Sequence, residues 1–259
     1  MRSALSHAAI VVPSCDKYSD VWPALFGGLK IHWSDCPLPI YLISNHVAAD
    51  RAGVTPILVG KDAPWSQNLI GALDAIPYEY VLLFLDDLVL ARAIDSDRVC
   101  GLIARCVLED WNYLRFNPTP APPNDIPNAE EFASVPAGDW YRSSTILALW
   151  KTRVLKAVLN PKETAWEFEI FGSSRTDDYD RWFACKHWNL PYHNLVIKGK
   201  LEPRALRRVR SMGIKLDPRR PVMNPAERFL LRLKRARSFM MNFVPRRARR
   251  TIRSLFAPS

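Results

Sequence analysis

An open α/β sheet covered by helices is the fold class this sequence predicts, on three observations. Short apolar runs recur at 7–12, 40–43, 54–59 and 80–85, and segments with apolar residues at helical spacing separate them. The run Tyr80-Val-Leu-Leu-Phe-Leu85 has no polar interruption, as expected of a strand buried on both faces of a parallel sheet. It then meets two adjacent carboxylates, Asp86 and Asp87, before apolar residues resume.

The elements follow in order. Residues 7–12 form the first strand and end in the polar loop Ser14-Cys15-Asp16-Lys17-Tyr18. Trp22, Leu25, Phe26 and Leu29 share a face and predict a helix over 18–32. Strands at 40–43 and 54–59 precede a helix at 66–76, which Pro77 limits. After 80–85 the pattern predicts a helix at 99–109, a strand at 111–116 and a Pro-rich polar loop at 118–136. An apolar, β-rich stretch at 140–150, a helix at 151–159 and a short helix at 177–187 come next, and 193–200 ends in Lys198-Gly199-Lys200. The pair Glu167 and Glu169 shares a face if its segment is extended and diverges if it is helical. In such sheets ligands bind beyond the C-terminal strand ends, so Ser14–Tyr18 and Asp86-Asp87 belong to one rim.

Composition narrows the class. The chain has 259 residues, 48% of them hydrophobic, enough for a core and unlike a disordered protein. No apolar run is long enough to span a bilayer, and the first residues predict no signal peptide. Five cysteines without a CxxC pair predict a reducing cytosol and no structural zinc. Charge is uneven: residues 1–199 carry net −5 and residues 200–259 carry net +15. Beyond 223, Phe229, Leu230, Leu233 and Met240 lie among arginines and lysines, which predicts an amphipathic basic helix suited to an anionic membrane face. Few aromatics in that tail argue against nucleic acid.

Two like charges at a buried strand end are costly unless a cation sits with them. Mg²⁺ or Mn²⁺ suits such oxygens and shares its coordination with substrate phosphates. The plainer alternative is that Asp86 and Asp87 cap the next helix. Trp166 offers an aromatic platform for a sugar ring, and Lys198 and Lys200 offer positive charge to a diphosphate.

The strand and its Asp pair, Ser14–Tyr18, Pro39–Ile43, Ile146–Trp150, Trp166–Glu169 and Lys198–Lys200 together resemble bacterial GT-A type glycosyltransferases of capsule, O-antigen or exopolysaccharide synthesis. Asp86-Asp87 stands where that family carries Asp-x-Asp, here with no residue between. The resemblance implies a GT-A-like open mixed sheet over residues 1–222, with 223–259 as a basic helical extension. It implies a nucleotide-sugar donor, a divalent Mn or Mg ion and a glycan or lipid-linked hydroxyl acceptor at the cytoplasmic membrane face. Ser14, Asp16, Tyr18, Asp86, Lys198 and Lys200 then bind the donor, and Asp87 with Asp86 holds the metal. Glu167 or Glu169 is the catalytic base if the reaction inverts, and Trp166 and Tyr141 meet the acceptor. The rivals are a sugar nucleotidyltransferase, which wants a Gly-rich phosphate loop that Pro13–Tyr18 lacks, and a non-enzymatic membrane or nucleic-acid adaptor.

Overall fold

The computed structural model describes residues 2–122, 124–125, 130–139, 141–217 and 219–231. The chain opens with α1 (Arg2–Leu5), β1 (Ala8–Pro13) and a single 3-10 turn at Asp16–Tyr18, followed by α2 (Trp22–His32). Then come β2 (Ile40–Ser44), β3 (Val54–Leu58), α3 (Trp65–Leu73), β4 (Tyr80–Leu83), β5 (Leu88–Leu90) and α4 (Ser96–Leu108). The second half holds β6 (Tyr113–Arg115), β7 (Asn124–Asp125), β8 (Phe132–Ser134), β9 (Ala148–Lys151), α5 (Thr152–Val158) and α6 (Ala165–Arg175). It closes with β10 (Trp182–Cys185), β11 (Tyr192–Asn194), β12 (Val196–Ile197), β13 (Lys200–Leu201) and α7 (Pro203–Ser211).

Nine strands form one sheet in the order β3-β2-β1-β4-β9-β6-β10-β8-β7. The first four are mutually parallel. β9 runs antiparallel between β4 and β6, β10 is parallel to β6, and β8 is antiparallel to β10. The open sheet that the strand pattern predicts is thus parallel in its first half and mixed as a whole, flanked by helices, as the family resemblance implies.

Alternate residues of the parallel strands feed opposite layers, as the pleat requires. Ile10, Val12, Leu42 and Leu82 pack with Leu25 and Leu29 of α2 and Ile103 of α4. Val11, Ile43, Val81 and Leu83 pack with Leu69 and Leu73 of α3, Leu155 of α5 and Phe168 of α6. Each such side chain contributes about 1.5–3 kcal/mol of burial, which is why the central strands read as uninterrupted apolar runs.

The predicted helix at 177–187 is replaced by β10. Trp182 stacks on Tyr113 with ring centres 4.8 Å apart, and its indole N–H donates to Arg142 O. Pairing with β6 gives the Trp-Phe-Ala-Cys run a sheet partner that a short isolated helix lacks. Of the stretch predicted at 140–150, the described residues 141–150 hold strand structure only in β9, and the helix predicted over 18–32 begins at Trp22. Residues 225–231 are helical, and the rest of the predicted basic tail, 232–259, lies outside the described residues.

Candidate functional site

A cleft of about 380 Å³ opens beyond the C-terminal ends of β1, β2 and β4, within the range of small-molecule sites. Its lining includes Ser14, Tyr18, Trp65, Asn68, Asp86 and Asp87. β4 stops at Leu83, and the chain turns at 85–88, with Leu88 N donating to Leu85 O. β5 then pairs with β11 in a separate two-stranded ribbon. Leu195 N holds Asp87 O at 2.8 Å, so the turn bearing both carboxylates is fixed from the ribbon side. The aspartates therefore sit in a turn, not in a continuing strand.

The Ser14 hydroxyl donates to Asp86 Oδ2 at 2.5 Å and accepts the Trp22 indole N–H at 2.8 Å. Burial pushes the Asp86 carboxyl up to about 8, and the negative charge of Asp87 adds to it. Burial likewise raises Asp87 to about 6. Arg220 pulls both values down without cancelling the burial. Two carboxylates held this far above their usual range lack sufficient positive charge of their own.

The residues fit a divalent ion shared with a ligand. Among the described residues no group of three His, Cys, Asp or Glu side chains is placed to hold a metal. Asp86 and Asp87 supply two oxygen donors, and Mg²⁺ or Mn²⁺ commonly completes such a pair with phosphate oxygens and water.

The other expected residues are distributed elsewhere. The Asp16 carboxylate accepts from the backbone N–H groups of Asn45, His46 and Val47, so it ties the first rim loop to the end of β2. Glu167 forms a capping box with Thr164 at the start of α6. Its carboxyl is held low by the Thr164 backbone N–H and hydroxyl. Because 165–175 is helical, Glu167 and Glu169 diverge. Lys198 and Gly199 have φ of 51° and 74° and form the two-residue turn between β12 and β13, so Gly199 serves the turn conformation. Lys200 is ion-paired with Glu227. Trp166 is 65% exposed on α6. None of these, nor Tyr141 or Glu169, lines the cleft of Asp86 and Asp87.

Glu169 and Tyr141 instead share a second cavity of about 180 Å³, with Asp139, Ser173 and Asp177. Glu169 Oε1 accepts from Thr145 N at 2.7 Å, Thr145 Oγ1 at 2.9 Å and Ser144 Oγ at 3.2 Å. Burial raises its carboxyl, opposed by these bonds and by Arg115. Ala165, one turn earlier on α6, lines the larger cleft, so one helix face links the two cavities.

No protein-family model matches the chain, and no curated protein does. Solved structures do match. TarS 1-349 from S. aureus superposes with a TM-score of 0.49 at 13% identity, over 82% of this chain and 66% of that one. The same protein in complex with UDP-GlcNAc gives 0.48 at 10%, over 82% and 67%. The mannosyltransferase PcManGT from Pyrobaculum calidifontis, in complex with GDP-Man and Mn²⁺, gives 0.47 at 10%, over 79% and 61%. The chain thus spans about two thirds of the TarS fragment and less of the mannosyltransferase.

Sequence reasoning missed Trp22, Asn68 and Arg220 as parts of the rim. Asn68 carries a weak signal, a polar residue in the first turn of a helix that follows a strand. Trp22 reads as core from its spacing, and Arg220 lies 200 residues from its partner Asp20 with nothing local to mark it.

Proposed function

We propose that this chain is a glycosyltransferase that moves a sugar from a nucleotide-sugar donor to a hydroxyl acceptor. The observation that carries the reading is the pair Asp86 and Asp87, raised by burial, on the wall of a cleft beyond the parallel strand ends. A diphosphate with a divalent ion answers both the charge deficit and the position. The ion, when bound, supplies charge neutralisation on the leaving diphosphate.

The chain's own residues do the rest. Asp86 and Asp87 hold the ion with the donor phosphates, and Ser14 fixes the direction of Asp86. Tyr18 and Trp65 flank the donor. Glu169, raised by burial and held by Thr145, takes the proton of the acceptor hydroxyl. Tyr141 shares its cavity and meets the acceptor. Residues 1–222 form the catalytic body. The basic residues beyond 223 hold it at the cytoplasmic membrane face, beside a lipid-linked or growing surface glycan.

Thermal unfolding with a panel of UDP-, GDP- and CDP-linked sugars, with and without Mn²⁺, tests the reading. At least one donor is expected to stabilise the protein, and Asp86→Ala and Asp87→Ala remove that stabilisation. No response to any donor sinks the proposal.

A further inference from the structure

Residues 219–223 come back to the turn that carries Tyr18, beside the cleft. Leu201 N donates to Pro221 O, Met223 N donates to Leu201 O, and Val222 bridges Leu201. This lays residues 219–223 against β13. From there Arg220 reaches the first rim loop. Its Nε donates to Asp20 Oδ2 at 2.9 Å and its Nη2 to Asp20 Oδ1 at 2.6 Å. The same Nη2 donates to Lys17 O at 2.9 Å. The guanidinium also lies over the Tyr18 ring, 4.3 Å from its centre. The Arg220 and Asp20 side chains are only 11% and 1% exposed.

These contacts surround one ligand-facing residue. Tyr18 stands on the wall of the cleft with Ser14, Asp86 and Asp87. It sits in a single 3-10 turn whose N-cap, Cys15, makes no side-chain hydrogen bond and whose C-cap, Ser19, donates its backbone N–H to Asp16 O. The ring packs against the apolar cluster that holds Val21 and Leu195, and a guanidinium over one ring face, anchored on both sides of Tyr18 by Lys17 O and Asp20, completes its hold. Arginine suits the task because its planar fork binds a carboxylate through two nitrogens while its face stacks on an aromatic ring.

We propose that Arg220 is a positioning residue for the donor: through Asp20 and Lys17 O it clamps the 3-10 turn and holds the Tyr18 ring as one wall of the nucleoside-diphosphate site. The C-terminal segment is therefore part of the donor site and not only a tether to the tail. The inference rests on the donor reading of the cleft.

The test is a double-mutant cycle on the full chain, with Tyr18→Ala, Arg220→Lys and the combination, read by calorimetric binding of UDP and GDP with Mn²⁺ at a temperature where all variants are folded. Arg220→Lys keeps the charge beside buried Asp20 and loses the planar stack. It is expected to weaken the bound nucleotide about 5- to 10-fold, and Tyr18→Ala at least as much. The combination adds little further, because both act through the same ring. A purely structural Arg220 moves the melting temperature and leaves the cycle additive or the affinity unchanged; either result overturns the proposal. Asp20→Asn with Arg220→Gln removes both charges together and covers the case in which the single variant does not fold. If it binds nucleotide like wild type, the proposal falls. Wild type that binds neither nucleotide overturns the donor reading and this inference with it, whereas wild type that binds while the cycle shows no coupling overturns this inference alone.

Discussion

Ser14 and Asp86, 72 residues apart, are joined by a 2.5 Å hydrogen bond that crosses from the end of β1 to the turn after β4. The same hydroxyl accepts from Trp22 Nε1, so one oxygen links α2, the end of β1 and the carboxylate pair. Ser14→Ala leaves the indole N–H without its partner and removes the donor that steadies Asp86. An unsatisfied buried group costs about 1–3 kcal/mol. Chemical denaturation is expected to show a loss of that order, and Mn²⁺-dependent nucleotide binding to weaken. Unchanged binding would mean that Ser14 does not orient the aspartate.

The carboxylate pair also sets a pH dependence. Asp86 and Asp87 titrate near 8 and 6 in the folded chain and near the ordinary carboxylate value when unfolded. The folded state thus binds more protons than the unfolded state across that interval. Their contribution is present in full below about pH 4 and is lost as pH rises through about 6 and then 8. In chelator, the urea midpoint is expected to fall between about pH 5 and pH 9, and Asp86→Asn to flatten the fall. Added Mn²⁺ opposes it most at the alkaline end, where both carboxylates are charged. A flat profile in chelator would contradict the raised values.

Much of this was legible before the structure, for definite reasons. Tyr80–Leu83 is buried on both faces, and its uninterrupted apolar run says so. Ser14, Tyr18, Asp86 and Asp87 converge because each follows a parallel strand, and strand ends share a rim. β10 was not legible: four residues are too few to distinguish helix from strand, and its partner Tyr113 is 69 residues away. The two positive φ values of Lys198 and Gly199 form the turn between β12 and β13, a conformation that the charges of Lys198 and Lys200 do not announce. Trp22 and Arg220 act through partners that no local pattern marks.

The two candidate bases separate by their surroundings. Glu167 closes a capping box at the surface end of α6, and Glu169 lies in a cavity with its carboxyl raised by burial. Glu169→Gln is expected to lower turnover by about 100- to 10,000-fold while donor binding persists, since a general base acts in the chemical step. Glu167→Gln weakens the cap slightly and leaves turnover intact. The reverse order of effects, measured as kcat with saturating donor, would assign the base to Glu167.

Helix α7 gives the membrane proposal a surface among the described residues. Ala205, Leu206 and Val209 are buried, which turns Arg204, Arg207 and Arg210 outward, and among the described residues none of the three pairs with a carboxylate. Phe229 and Leu230, 60% and 56% exposed, follow close by, where Arg228 meets the α7 cap Glu202. Each cationic residue near an anionic leaflet contributes about 1 kcal/mol, roughly five-fold in partitioning. Replacing all three arginines with Gln is therefore expected to weaken binding to phosphatidylglycerol-rich vesicles by about 100-fold. The variant retains Mn²⁺-dependent donor stabilisation, because α7 does not line the cleft. Salt weakens the wild-type interaction, and neutral phosphatidylcholine vesicles bind little. Cosedimentation measures both. Equal binding to neutral and anionic vesicles, or full binding by the triple variant, would remove this face from the interaction.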